Sequence, residues 1–353
     1  MKKDASTANP TRARRLRLPA LLLLALLGLG GCARSRSLGP DQMLAFAAAG
    51  EVRPSAGNQS LFISGVPDLF HELTPFIANR DLVMADLAGG LEFNCDPPPG
   101  EPLRWQPEWL SALSAANIRI LNLADDHSLD CGRPALTEAV SFLLRQDFYL
   151  AGVGPDQEMA RAPVYLTRNG ITIAIAGYLL APPPNSAACA DCPGPALYDR
   201  DALIAALTEM KSRASRRIVV LHFVERDSPN LTPEELAIVR EAIDYGADLV
   251  LGYGPVEAGG IQRIRGRWVI GSLGRLAGDA DGGINRADGL LVSAEFTADK
   301  MMNLRLLPLA IVGGRPRLLR GEEAAATLTA IVGASPSEVQ DNATLIGDIL
   351  YLK

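Results

Sequence analysis

Short apolar runs separated by polar loops and amphipathic stretches recur along the chain from residue 43 onward. Seven runs, at 44–50, 81–86, 118–124, 171–178, 217–223, 247–253 and 267–273, are predicted strands. Several are apolar almost throughout, the pattern of strands covered on both faces. Between them the spacing turns helical. Thr232-Pro233-Glu234-Glu235 has the form of a capping box with proline at the first helical position, and the helix it opens runs to a stop at Gly246. Another helix is predicted to begin near Pro107, with Trp109, Leu110 and Leu113 on one face. After residue 285 the pattern alternates, which predicts antiparallel strands closing a sheet. Residues 320–353 are expected to form a helical, surface-bound tail. With no internal repeat or low-complexity linker, the pattern predicts one α/β domain: a layered sandwich of mixed β-sheets flanked by helices.

The amino-terminal stretch follows a different rule. Lys2, Lys3, Arg12, Arg14, Arg15 and Arg17 precede the apolar run LPALLLLALLGLGG, which stops at Cys32. That run is short for a membrane span, so it reads as an export signal. Leu29-Gly-Gly-Cys32 resembles the lipobox of bacterial lipoproteins, which implies cleavage before Cys32 and lipid attachment to its sulfur. An uncleaved anchor is the alternative, and both readings hold the protein at a membrane. Residues 1–31 are thus expected to be a signal peptide, 32–42 a lipidated tether, 43–335 the folded domain and 336–353 a tail. Ala33 after the cysteine points to the outer membrane, with the domain facing the periplasm of the cell envelope.

Removing residues 1–31 takes away a net charge of +5, so the formal charge falls from −6 to −11. That acidity argues against nucleic acid as a partner and against adhesion to anionic lipid. Beyond Cys32 the chain has Cys95, Cys131, Cys189 and Cys192. An even number in an exported protein points to disulfides, while the Cys189-x-x-Cys192 spacing keeps a four-thiolate zinc site as the alternative.

Candidate chemistry gathers where the strands end, the place where open α/β sheets bind ligands. Gly50-Glu51 follows the first predicted strand, Asp86 the second and Asp125-Asp126-His127 the third. His222, then Glu225 and Asp227, follow the fifth; Tyr253-Gly254-Pro255 with Glu257 the sixth; Ser272-Leu273-Gly274-Arg275 the seventh. Acids and two of the three histidines therefore lie at strand ends. Carboxylates and imidazoles together suit zinc, manganese or iron, and such ions activate water for hydrolysis.

The order and spacing of LAFAAAGEV, DLVMADLAGGL, LNLADDHSLDCG, YLAGVG, VVLHF, GADLVLGYGP and GSLGR resemble the CapA-like family of poly-gamma-glutamate capsule biosynthesis proteins. The resemblance covers roughly residues 43–335 and implies a metallophosphoesterase-like fold. Departures accompany it. The family's Gly-Asp is Gly50-Glu51 here, its Asn-Leu-Glu is Asp86-Leu87-Ala88, and its Asn-Asn-His is Asp125-Asp126-His127. His-Trp-Gly is His222-Phe223-Val224, His-Pro-His is Gly254-Pro255-Val256, and Ser-Leu-Gly-Asn is Ser272-Leu273-Gly274-Arg275. The resemblance thus implies at most Glu51, Asp86, Asp126, His127 and His222 as metal ligands, with His127 and His222 as the catalytic candidates. These donors suit one divalent ion (zinc, manganese or iron) better than two. Asp125 and Arg275 are expected to contact the ligand, Arg275 by opposing a second cation and gripping a carboxylate or phosphate.

Plainer roles compete for the same residues. Asp126 and Asp130 have the residue type and place to cap the helix after Gly132. His127 could be a hydrogen-bonded loop residue, His222 a buried and paired imidazole, and His71 structural. Four cysteines allow three pairings. Cys95 and Cys131 follow neighbouring strands, which favours Cys95–Cys131 and Cys189–Cys192, each staking a loop around the pocket. Three functions follow as expectations. The first is an exported lipoprotein handling an anionic or peptide-like capsule polymer, its catalytic centre weakened or lost. The second is an active single-metal hydrolase of the phosphoesterase type, and the third a ligand-binding lipoprotein.

Overall fold

The computed structural model describes residues 42–53, 69–91, 95, 103–107, 109–278 and 288–353. Residues 1–41, which hold the expected signal peptide, the expected lipidation residue Cys32 and most of the expected tether, lie outside them. The described residues belong to one unit of the chain, Leu38–Lys353.

The first sheet begins with four parallel strands, β1 (Leu44–Arg53), β2 (Leu82–Leu87), β3 (Ile120–Asn122) and β4 (Tyr149–Ala151). The chain then builds a second sheet from β5 (Val164–Arg168), β6 (Ile171–Leu179), β7 (Arg216–His222), β8 (Leu249–Tyr253), β9 (Gly259–Ile264) and β10 (Arg267–Ser272). It returns to the first sheet with β11 (Arg275–Gly278), β12 (Gly289–Phe296), β13 (Met301–Val312), β14 (Arg315–Leu318), β15 (Ala343–Ile346) and β16 (Ile349–Leu352). The strand order is β15-β16-β13-β12-β1-β2-β3-β4 in the first sheet, with β11 on β1 and β14 on β13, and β9-β10-β8-β7-β6-β5 in the second. Both sheets are mixed. In the first, β1 to β4 and β11 pair parallel and β12 to β16 antiparallel; in the second the centre is parallel, and β5 and β9 pair antiparallel at the edges.

Side-chain alternation along the strands divides the core into layers. Phe46, Met84, Ile120, Ile173, Ile175, Ile218, Val220 and Leu251 fill the space between the sheets. Phe46 meets Phe296 of β12 edge-on, with ring centroids 5.9 Å apart. The intervening residues face the helices. Ala47, Val83, Ala85 and Leu121 pack on α2 (Trp109–Ala115) and α3 (Gly132–Arg145), with α1 (Thr74–Ile77) beside them. Ala174, Ala176, Val219 and Val250 pack on α5 (Arg200–Arg213) and α6 (Pro233–Asp244), following the short α4 (Gln157–Arg161). A helix–sheet–sheet–helix sandwich results, which is the layered α/β class read from the pattern. Each Val, Leu or Ile buried this way contributes about 1.5–3 kcal/mol.

Local predictions fare unevenly. The capping box at Thr232 is present: Glu235 N donates to Thr232 Oγ1 at 3.2 Å and Thr232 N to Glu235 Oε2 at 2.9 Å. Gly246, at φ +116°, ends α6 as expected. The tail differs from expectation. After α7 (Gly321–Gly333) and α8 (Ser337–Asn342), residues 343–352 form the β15–β16 hairpin, and β16 pairs with β13. Leu350 and Leu352 bury themselves between the sheets. Burying those alternate leucines outweighs whatever helical tendency the segment has.

Candidate metal centre

The carboxyl ends of β1, β2, β3 and β7 converge where the two sheets face each other. Asp86 and Asn122 continue the inward alternation of Met84 and Ile120, and His222 continues that of Ile218 and Val220. Glu51 would break the rule, since Phe46 and Ala48 point inward and Ala47 and Ala49 outward. A β-bulge corrects it. Ala48 pairs with Met84 but Glu51 with Asp86, so three steps on β1 match two on β2. The extra residue re-aims Glu51 to the site and leaves Val52 in the outer layer. Gly50 within the bulge has no space for a side chain, because a Cβ there would lie 2.5 Å from the Gly274 carbonyl.

Asp86, Asp125 and His222 bring one donor atom each within 4.8 Å of one another, and all three are buried. His222 Nδ1 is 3.3 Å from Asp86 Oδ2 and 3.4 Å from Asp125 Oδ2, and its Nε2 is 3.2 Å from Asp126 Oδ1. Asn122 Nδ2 donates to Asp86 Oδ1 at 2.6 Å, and the His127 backbone N–H donates to Asp125 Oδ1 at 2.8 Å. Asp125 Oδ2 is buried and makes no hydrogen bond. A solvent-excluded carboxylate oxygen without a donor is costly unless a cation compensates it.

The electrostatics reflect this crowding. Burial, reinforced by Asp86, Glu51 and Asp126, pushes the Asp125 carboxyl well above the usual range against the pull of His222. Glu51 is raised as well, chiefly by burial, while Arg53 draws it down. Burial lowers the His222 pKa, yet Asp125, Asp126 and Asp86 outweigh it and leave the ring well above its ordinary value. The acids thus keep His222 protonated unless another cation displaces that proton. Burial also works to raise Asp126, but the hydrogen bond and charge of His222 prevail, with help from His127 and Arg53, and bring it to about 2.

A second group lies nearer the surface. Donor atoms of Asp126, His127 and Glu225 also fall within 4.8 Å of one another. His127 Nδ1 is 2.9 Å from Asp130 Oδ2, and its Nε2 is 3.2 Å from Arg53 Nη2. Arg53 can only donate, so this contact demands an unprotonated Nε2 and places the ring proton on Nδ1, facing Asp130. The acids pull the other way. Burial lowers the His127 pKa, but Asp130, Asp125 and Asp126 more than offset it and raise it to about 9. Glu225 is bound at both oxygens, by Arg53 Nη1 at 3.1 Å and Arg275 Nη2 at 3.3 Å.

Glu51, Asp86, Asp125, Asp126, His127, His222 and Arg275, all read from the sequence, come together at this rim. Asp125, expected to contact the ligand, stands instead among the buried candidate donors, and Glu51, expected as a ligand, belongs to neither group of three. Arg275 meets Glu225. Asp126 and Asp130 do not cap α3: its N-cap is Cys131, without a side-chain cap bond, and Asp130 accepts from His127 and from the Leu103 backbone N–H. Both favoured disulfides are present, so the four cysteines are paired with one another and the four-thiolate zinc reading falls. Cys95–Cys131 closes a 36-residue separation beside Asp130, whereas Cys189–Cys192, at a separation of 3, ties only a tight turn and stakes no long loop. Sequence reasoning overlooked Arg53 and Asn122. Asn122 had a readable signal, an amide ending an apolar strand; Arg53 joins the site only through the bulge.

The donor set fits one metal ion: two buried carboxylates and an imidazole, one carboxylate oxygen lacking any hydrogen bond, and Asn122 orienting Asp86 from behind. Residues 41–280 match the family described as bacterial capsule synthesis protein PGA_cap. The capsule biosynthesis protein CapA of Bacillus anthracis is 23% identical over 262 residues, which cover 72% of this chain and 64% of that protein. The PGA biosynthesis protein CapA of Bacillus subtilis (strain 168) is 22% identical over 256 residues, covering 71% of this chain and 67% of its own length. The chain thus spans about two thirds of the length of these relatives. Among solved structures, an NAD nucleotidase of Haemophilus influenzae superposes with a TM-score of 0.43 at 12% identity, over 82% of this chain and 55% of the other.

Proposed function

The chain belongs to the bacterial capsule synthesis protein family, and on that premise we propose that it handles an anionic, poly-gamma-glutamate-like polymer at the cell envelope through a site for a single divalent ion. The observation that carries the ion site is the buried Asp86–Asp125–His222 group with its unbonded Asp125 Oδ2. The polymer comes from the two relatives, whose names assign them to capsule and PGA biosynthesis.

An ion held by Asp86, Asp125 and His222 would supply Lewis acidity and a water activated at neutral pH. The chain's own groups account for the remaining requirements of hydrolysis. Arg53 and Arg275, only 18% and 10% exposed at their side chains, set two guanidiniums at the mouth, where they attract carboxylate. His127 is held on Nδ1 by Asp130 and on Nε2 by Arg53, so it can exchange a proton with a departing group only once Arg53 gives up that nitrogen. Asp125 and Asn122 hold their neighbours in place from below. A single-ion site lacks the second ion that clamps attacking and leaving oxygens in paired-metal hydrolases, so we infer a slower reaction than such centres give.

The export reading completes the proposal. Lys2 to Arg17, the apolar run and Leu29-Gly-Gly-Cys32 support cleavage before Cys32, lipidation there and tethering to the outer membrane. No helix among the described residues is long and apolar enough to cross a membrane.

The test uses the full chain, poly-gamma-glutamate and manganese or zinc. Polymer length on gels and polymer retention are read for wild type and for Asp125→Asn. Metal-dependent shortening or retention, lost in the variant, supports the proposal. A wild-type protein that neither retains nor shortens the polymer with any of these ions overturns it.

A further inference from the structure

Asp126, His127 and Glu225 have the composition of a second metal site, with donor atoms within 4.8 Å of one another. The space against them is taken by the chain itself. Arg53 Nη2 lies 3.2 Å from His127 Nε2, Arg53 Nη1 lies 3.1 Å from Glu225 Oε2, and the same Nη1 lies 3.5 Å from Glu51 Oε1. The guanidinium therefore stands against the imidazole Nε2 and one oxygen of Glu225, two of the three donor residues a second ion would need, and it also meets Glu51. We propose that Arg53 is a built-in cation standing in the place of a second metal ion, and that it restricts this site to one ion. The inference deepens the reading above, on which it rests for the first ion.

The fold explains how an arginine comes to be there. The bulge between Ala48 and Glu51 turns Glu51 inward. Two residues further along the same strand, Arg53 follows it to the same side, while Val52 between them packs into the outer layer. A guanidinium is charged at every accessible pH and offers a planar set of donors, so it satisfies acceptors on three sides yet coordinates nothing itself. Arg275 adds a second positive group by holding the other oxygen of Glu225 at 3.3 Å. An ion approaching Glu225 thus meets both of its oxygens engaged and two fixed positive charges. The buried Asp86–Asp125–His222 group has no arginine within hydrogen-bonding distance among the described residues, and its counter-charge must come from a proton or an ion. One constellation holds a fixed guanidinium, and the other a proton on His222 that an ion can displace.

The experiment counts manganese bound per chain by equilibrium dialysis and elemental analysis of the purified full-length protein. Wild type, Arg53→Met and Arg53→Lys are compared, with melting curves on the same samples. A gain of one ion from wild type to R53M, with R53K unchanged, is the expected result. No gain in R53M, or two ions already in wild type, overturns the proposal. A wild-type count of zero sinks the single-ion reading of the previous section, while the gain in R53M still decides this one. Should R53M melt early because its acids are unbalanced, manganese should restore its melting temperature; an R53M that unfolds and is not rescued by manganese also overturns the proposal.

Discussion

Asp248 and Asp125 are both completely buried acids, yet they answer burial in opposite ways. Asp248 precedes β8 at the amino end of the second sheet, inside a cage of arginines. Arg216 Nη1 and Arg267 Nη1 each approach Oδ1 at 3.0 Å, while Arg217 supplies Nη2 at 2.7 Å and its backbone N–H at 3.0 Å to Oδ2. Asp125 lies past the carboxyl end of β3, among Asp86, Asp126 and Glu51, with one oxygen lacking any hydrogen bond. Strand β7 links the two regions, beginning at Arg216 and ending at His222. A buried acid whose partners are complete belongs to the scaffold; one whose partners are incomplete marks a place for a ligand.

Substitutions can break that contrast. Asp248→Asn should have the largest effect on stability, because it strands the buried Arg216 and the half-buried Arg217 charges; removing one partner of a buried pair costs about 3–5 kcal/mol. Urea unfolding measures the loss, and the ion count of the folded fraction should not change. Asp125→Asn should do the reverse. It removes one of several mutually repelling carboxylates, so the ion-free protein should lose little stability or gain some, while metal affinity falls by more than about a hundredfold, beyond the usual effect of losing an outer-shell partner. A large stability loss in D125N, read by the same unfolding curves, would show that Asp125 is scaffold like Asp248.

Two smaller effects sharpen the same line. Asn122→Ala removes the 2.6 Å bond that orients Asp86, and metal affinity should drop by about 10- to 100-fold in titration calorimetry. His127 contributes through pH. Its folded pKa of about 9 exceeds the ordinary imidazole value of 6.5, so the stability from its acidic neighbours is complete below 6.5 and is lost as pH rises through 9. The melting temperature of ion-free wild type should therefore exceed that of His127→Gln most at pH 6, with the gap closing by pH 10.

The fold was largely legible because burial on both faces leaves an apolar signature. All seven predicted strands form, with ends shifted by at most three residues. β4 and β5 were harder to read: β4 has only three residues, and β5 is an edge strand exposing Thr167 and Arg168. The hairpin at 343–352 escaped because Leu350 and Leu352 reveal their role only against β13, some 45 residues away in sequence. The candidate site was legible where function coincides with strand ends, at Asp86, Asp125 to His127 and His222. Arg53 was not, since its partners His127 and Glu225 are 74 and 172 residues distant and a bulge decides which way it faces. Alternation predicts the faces of a regular strand, and the site sits where the strand is irregular.

The central claim is that the incompletely partnered acids form the seat of one ion. Anomalous diffraction from crystals of the protein equilibrated with manganese tests it most directly. The account predicts one strong peak per chain within coordination distance of Asp86, Asp125 and His222, and none between Arg53 and Glu225. A chain with no peak at the buried group, or with its peak beside Glu225 and His127, would contradict it.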